Sequence, residues 1–178
     1  ILWFLEHEDV YTAGVSSSYN DILDKDINII KTGRGGQITY HGPGIRILYL
    51  LLDLKKRNLC DLKKYIANLQ SVIINSLNHI GVESYILDDH IGVWVKNKNV
   101  INGHDKISAI GVRVRKWVSF HGVAINIAPE LDKFKKIIPC GIDKKNLGVT
   151  SLKELNIDIT MEEFDKILKI EFNKIFNV

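Results

Sequence analysis

Two short segments of this chain carry side chains able to do covalent chemistry. In IPCG, Ile138 to Gly141, Cys140 stands between a proline and a glycine, so a turn rather than an element face presents its thiol. An ionised thiol is a nucleophile that can carry an acyl group, whereas a buried one behaves as a small apolar side chain. The residue types leave both readings open. Lys106 opens KISAIGVRV, Lys106 to Val114, whose apolar residues alternate as in a strand. An amine at that point could exchange a proton, or it could be a solvated charge at a strand edge. Spacing alone does not pair it with Cys140.

Two further segments frame these groups. GRGGQITYHGPG, Gly33 to Gly44, packs five glycines and a proline into twelve residues. Each glycine costs extra chain entropy on folding, which makes sense where the backbone needs a positive φ or passes close to another group. The segment lacks the Gly-Lys-Ser/Thr ending of a phosphate cradle. Arg34, Tyr40 and His41 project from it, and a sharp turn between two core strands is the plainer alternative. In SFHGVAINI, Ser119 to Ile127, His121 and Gly122 interrupt a strand, as at a bulge or a close backbone approach. By itself His121 reads first as a satisfied core histidine. Cys60, in NLCDL near a helix start, reads as structural.

Other chemistries find no support. The six histidines are scattered, with no Cys-x-x-Cys and no His-x-x-x-His pair, so neither a metal nor a cofactor is expected. No Gly-x-Ser-x-Gly elbow is present. Two cysteines in 178 residues suit a reducing compartment better than a disulfide scaffold. A net charge of +3 is too small for a nucleic-acid binder, though it would suit an acidic protein partner. The longest apolar run, Ile47 to Leu52, is far shorter than the roughly 20 residues of a membrane span.

The elements that must position these groups read as strands at Leu2 to Leu5, Ile27 to Lys31, Gln37 to Tyr40 and Ile45 to Leu52. A helix follows from Asp61 to Ile80, with Leu62, Ile66, Leu69, Ile73, Leu77 and Ile80 at helical spacing and Gly81 closing it. Strands resume at Ile91 to Lys96, Asn99 to Asn102, Ile107 to Val114 and Val118 to Ile127, the last two forming a hairpin around Lys116. Pro129 to Asp143 reads as a loop with room for one helical turn. A final helix starts at Thr160, which with Glu163 has capping-box spacing, and buries Phe164, Leu168, Phe172 and Ile175. The expected fold is α+β (mixed α/β): one domain over 1–178, a mixed sheet flanked by helices. The chain starts at Ile1 without Met, so a preceding N-terminal segment is expected.

In order, these segments resemble the lipoyl(octanoyl) transferase family. The family pattern has an RGGQ-TYHGPGQ loop, a K-I-A-A-I-G strand, an H-G-hA-hN strand (h apolar) and a P-C-G-I loop followed by V-T-S-L. Here they are Arg34 to Gly44, Lys106 to Gly111, His121 to Asn126, and Pro139 to Ile142 with Val149 to Leu152. LEHEDVYTAG, Leu5 to Gly14, is similar to the family's early H-x-x-x-Y-T-x-G stretch. Five motifs in register cover the chain up to Leu152. Two positions depart from the pattern: Ile45 stands for the final glutamine of GPGQ, so that residue's polar contact is missing or replaced, and Ser108 stands where alanine is common.

The resemblance implies the fold of the lipoate and biotin protein ligase catalytic domains and a catalytic pair. Cys140 would form an acyl-thioester intermediate and Lys106 would lower its pKa. The acyl substrate would be bound by Arg34, Gly35, Gly36, Gln37, Ile38, Thr39, Tyr40 and His41, with Ala109, Ile110, Gly111, Gly122, Val123 and Ala124. The implied donor is octanoyl-acyl carrier protein. The implied acceptors are lipoyl domains of 2-oxoacid dehydrogenase subunits and the glycine-cleavage H protein, met in the cytoplasm without nucleic acid or membrane. A cysteine that takes the acyl group divides the task into two protein encounters. Lys106 would act as acid in one half-reaction and base in the other. An ATP-dependent ligase of the same fold, an acyl-binding module without turnover, and a Cys-His thioesterase using Cys140 and His121 are the competing readings.

Overall fold

Strand β5 (Ile45–Leu50) shows how the sheet is built. Ile45 and Ile47 belong to one apolar cluster and Leu48 and Leu50 to another, so alternate residues serve two cores. That is why the segment reads as a continuous apolar run, as expected of a strand covered on both faces. The computed structural model describes residues 1–139 and 146–177.

Among the described residues the main sheet orders its strands β1 (Leu2–Leu5), β5, β9 (Val118–Asn126), β8 (Gly103–Arg115), β7 (His90–Asn97) and β6 (Tyr85–Leu87). Strand β10 (Leu147–Val149) pairs in parallel with the start of β8, with Val149 opposite Lys106. A smaller sheet of β3 (Ile29–Lys31), β2 (Val10–Ala13) and β4 (Ile38–His41) brings the glycine-rich segment to the main sheet. Helices α1 (Leu62–His79) and α2 (Met161–Phe176) pack on each other and on one face of the main sheet, burying Leu69, Ile73, Leu77, Phe164, Leu168 and Phe172. The fold is α+β, a mixed sheet flanked by helices.

Local chemistry accounts for most boundaries. The Asp61 side chain accepts from the Lys64 N–H at the start of α1. Thr160 and Glu163 form the capping box expected at α2. Between β8 and β9, Lys116 and Trp117 have φ of 50° and 60°, a two-residue turn whose twist suits a hairpin. Residues 131–136 form a short 3-10 helix in the segment read as a loop with one turn.

Asn99 to Asn102 is a turn, not the expected strand. The Asn97 side chain accepts from the Asn99 N–H, and Asn102 takes a φ of 52°, so the backbone reverses. Ile101, which made the segment look like a strand, is 91 % exposed. Strands β2, β6 and β10 are short elements that the apolar pattern did not reveal. Cys60 is a free, exposed thiol.

Candidate active site

Residues from both sheets enclose a cavity of about 600 Å³, within the usual range for a small-molecule site. Strand alternation selects its walls. From β4, Thr39 and His41 line it. Ile38 and Tyr40 turn to the opposite face, where Ile38 is buried in the second cluster and Tyr40 packs on Tyr11 and Phe134. The Tyr40 hydroxyl donates to Asp9 at 2.6 Å. Of the substrate-binding residues expected from sequence, Arg34, Gly35, Gly36, Gln37, Thr39, His41, Ala109, Ile110, Gly111, Gly122, Val123 and Ala124 line the cavity, whereas Ile38 and Tyr40 form its backing.

Arg34 braces the glycine segment. Its guanidinium donates to the Thr12 carbonyl at 2.7 Å, the Thr12 hydroxyl at 2.8 Å and the Gln37 carbonyl at 2.8 Å, tying the loop to β2. A Cβ at Gly35, Gly111 or Gly122 would meet the Val112, Gly35 or Leu48 carbonyl oxygen, respectively, so these glycines let the loop and the strands approach closely.

Lys106 is 5 % exposed and reaches the cavity from β8. It sits where β9 ends and β10 takes over the edge of β8: Thr150 N–H donates to the Lys106 carbonyl at 3.1 Å, and the Asn126 side chain donates to the Thr150 carbonyl at 2.8 Å. A second, much smaller cavity is lined by Lys106, Thr39, Tyr40, Phe134, Pro139 and Val149, among others. Cys140 itself lies outside the described residues, as does the rest of the P-C-G-I motif after Pro139.

Sequence reasoning did not assign His7 or Tyr49 to the site. His7 Nε2 and the Tyr49 hydroxyl share a hydrogen bond of 2.7 Å, and the His41 ring lies 5.8 Å from that of His7. His7 was visible in the early H-x-x-x-Y-T-x-G stretch, and Tyr49 follows Ile45 and Ile47 in alternation. Leu62 and Ile66, expected to pack as core at the start of α1, also face the cavity.

Burial lowers the pKa of the cavity imidazoles. It pushes His41 down to about 3, helped by the Arg34 guanidinium and by His7. His7 is lowered by burial alone, and His121 by burial, then Arg34 and Arg113. The buried Nδ1 of His41 meets no hydrogen-bond partner among the described residues. His121 holds a φ of 59° within β9, a strained backbone of the kind that gathers at functional sites. Among the described residues no cluster of His, Cys, Asp or Glu could hold a metal ion. No helix among them is long and apolar enough to cross a membrane.

The apolar cavity at the join of two sheets, with a buried lysine in its wall, sits in the catalytic-domain fold of lipoate and biotin protein ligases. Solved structures carry the same fold. A bipartite lipoate protein ligase from Thermoplasma acidophilum superposes with a TM-score of 0.75 at 16 % identity, over 99 % of this chain and 71 % of that one. A biotin protein ligase from Aquifex aeolicus, in complex with biotin and ATP, gives a TM-score of 0.59 at 16 % identity, over 83 % of this chain and 56 % of that one.

The chain belongs to the lipoyl protein ligase A/B catalytic domain family, whose pattern matches residues 1–173. The octanoyltransferase of Wolbachia pipientis subsp. Culex pipiens (strain wPip) is 50 % identical to it over 176 residues, 99 % of this chain and 83 % of that protein.

Proposed function

We propose that this chain transfers an octanoyl group from an acyl carrier protein to a lysine amine of lipoyl carrier domains, through a thioester on Cys140, with Lys106 as the proton-transfer partner. The single observation that carries the reading is a buried lysine whose side chain lines both the apolar cavity and the small cavity touched by Pro139. Relatives about half identical over nearly the whole chain are octanoyltransferases, which supports the same activity here.

The chemistry follows from charge. An ordinary cysteine, with a pKa of ~8.5, is mostly protonated at neutral pH, and a neighbouring ammonium favours the thiolate. Cys140 attacks the donor thioester, its new C–S bond replacing the carrier's, and Lys106 gives a proton to the leaving carrier thiolate. The neutral Lys106 amine then takes a proton from the incoming acceptor lysine as the amide C–N bond forms and the Cys140 C–S bond breaks. Thioester exchange is nearly balanced and amide formation is downhill, so ATP is not required. His41, uncharged and with a free buried Nδ1, is the candidate partner for the acyl carbonyl. The acceptors are the lipoyl domains of 2-oxoacid dehydrogenase subunits and the glycine-cleavage H protein, and the address is the cytoplasm where those carriers work.

The deciding experiment incubates the protein with octanoyl-acyl carrier protein and weighs it intact. A hydroxylamine-sensitive octanoyl adduct, formed without ATP and lost in Cys140→Ala, is the expected result. An active, folded sample that never carries the adduct, or that needs ATP, overturns the reading. Lys106→Ala should slow transfer on the order of 10²- to 10⁴-fold while leaving the far-UV circular dichroism intact.

A further inference from the structure

The amine of Lys106 faces an aromatic ring. Its Nζ lies 4.7 Å from the centroid of the Trp94 ring, inside the range in which a cation is attracted to an indole face. Trp94 is 0 % exposed, so water does not weaken that attraction. Its indole N–H donates to the His90 carbonyl at 3.0 Å, which fixes the ring's tilt.

The backbone is shaped to make this contact. Trp94 pairs directly with Lys106, while its neighbour Val93 pairs with Ser108, so the β7–β8 register slips at this point. Lys106 is buried on the cavity side and Ile107 in the helix-packed core, with the slip falling between them and Ser108. Gly92, with a φ of 137°, admits the lysine stem: a Cβ there would stand 3.2 Å from Lys106 Cε and 2.6 Å from the Ser108 carbonyl oxygen. A bulge, a glycine and a ring held by hydrogen bonding converge on one amine.

We propose that Trp94 is a positioning residue for acyl transfer, its indole face holding the Lys106 amine in the charged form that supports a Cys140 thiolate. The proposal rests on the catalytic pair of the preceding section. It extends that pair by a third member, whose contribution is the electrostatic field of its ring and not merely its volume.

Truncating a fully buried tryptophan could unfold the protein, so the test varies the ring's charge distribution at nearly constant shape. Trp3 and Trp117 are replaced by phenylalanine and Cys60 by serine, and Trp94 is then incorporated as tryptophan or as its monofluoro, difluoro and trifluoro forms. Fluorine draws electron density from the ring face and weakens its hold on a cation. The readout is the rate at which iodoacetamide alkylates Cys140 at neutral pH, which reports the thiolate.

The expected result is a stepwise fall across the series, about tenfold from tryptophan to the trifluoro form, that disappears in a Lys106→Ala background. A flat series in a protein whose Lys106→Ala variant is slow overturns the role of Trp94 while the catalytic pair stands. If Lys106→Ala alkylates and turns over like its parent, the pair itself fails, and this proposal with it.

Discussion

At the scale of single residues, burial lowers the pKa of the cavity's imidazoles His7, His41 and His121. His41 is the extreme case. In the unfolded chain its imidazole takes a proton near 6.5, but in the folded chain only near about 3. Between those values the unfolded state binds more protons, so stability rises with pH and falls as the solution is acidified from 6.5 toward 3. We therefore expect the His41 ring signals to remain those of neutral imidazole from pH 5 to pH 8 by NMR. Chemical denaturation should show that His41→Gln flattens the pH dependence of stability in the window below 6.5. Arg34 behaves differently: its bonds to Thr12 and Gln37 make it a brace for the glycine loop. Removing it should loosen the cavity wall as well as weaken acyl binding.

At the scale of elements, the site depends on strands deviating from regular geometry at chosen points. Gly92 and Gly81 both have positive φ, at 137° and 74°, yet their surroundings are opposite. A Cβ at Gly81 meets nothing within 4 Å, whereas one at Gly92 meets the Ser108 carbonyl and the Lys106 stem. Gly81→Ala should cost about 1 kcal/mol in urea denaturation, the strain of a left-handed alanine, and leave turnover unchanged. Gly92→Ala should cost more and also slow acyl transfer, because Lys106 must move. Equal effects of the two on turnover would contradict that account. At α2, Thr160→Ala removes one capping oxygen and should lower stability by about 1 kcal/mol.

At the scale of the whole molecule, the helical layer supports the sheet through a few buried polar contacts. Glu171 on α2 is 3 % exposed and receives Asn75 at 3.1 Å and Lys174 at 2.6 Å, with His79 at 2.9 Å, so it clamps α2 to α1. Arg46 on β5 meets Asp165 of α2 at 3.0 Å, joining the helices to the strand that also carries Ile47 and Tyr49 into the cavity. Glu171→Ala leaves the Asn75 amide without its partner and should lower stability by about 2 kcal/mol in urea denaturation, with the unfolding still cooperative.

The amino-acid sequence by itself determined the α+β class, both helices, the α2 capping box, the β8–β9 hairpin and the glycine-loop and β8–β9 part of the cavity wall, because these follow from local periodicity, turn chemistry and motifs written contiguously. Only tertiary structure decided which residues of a motif face the cavity. The alternation of β4 sends Thr39 and His41 inward and Ile38 and Tyr40 to the other side. Tertiary structure also decided what surrounds Lys106: Trp94, Pro139 and Val149 are distant from it in the chain, or separated by a strand crossing, and no sequence period encodes that meeting. Short strands such as β2 and β10 stayed hidden for the same reason, since their stability comes from the partner beside them rather than from their own residues.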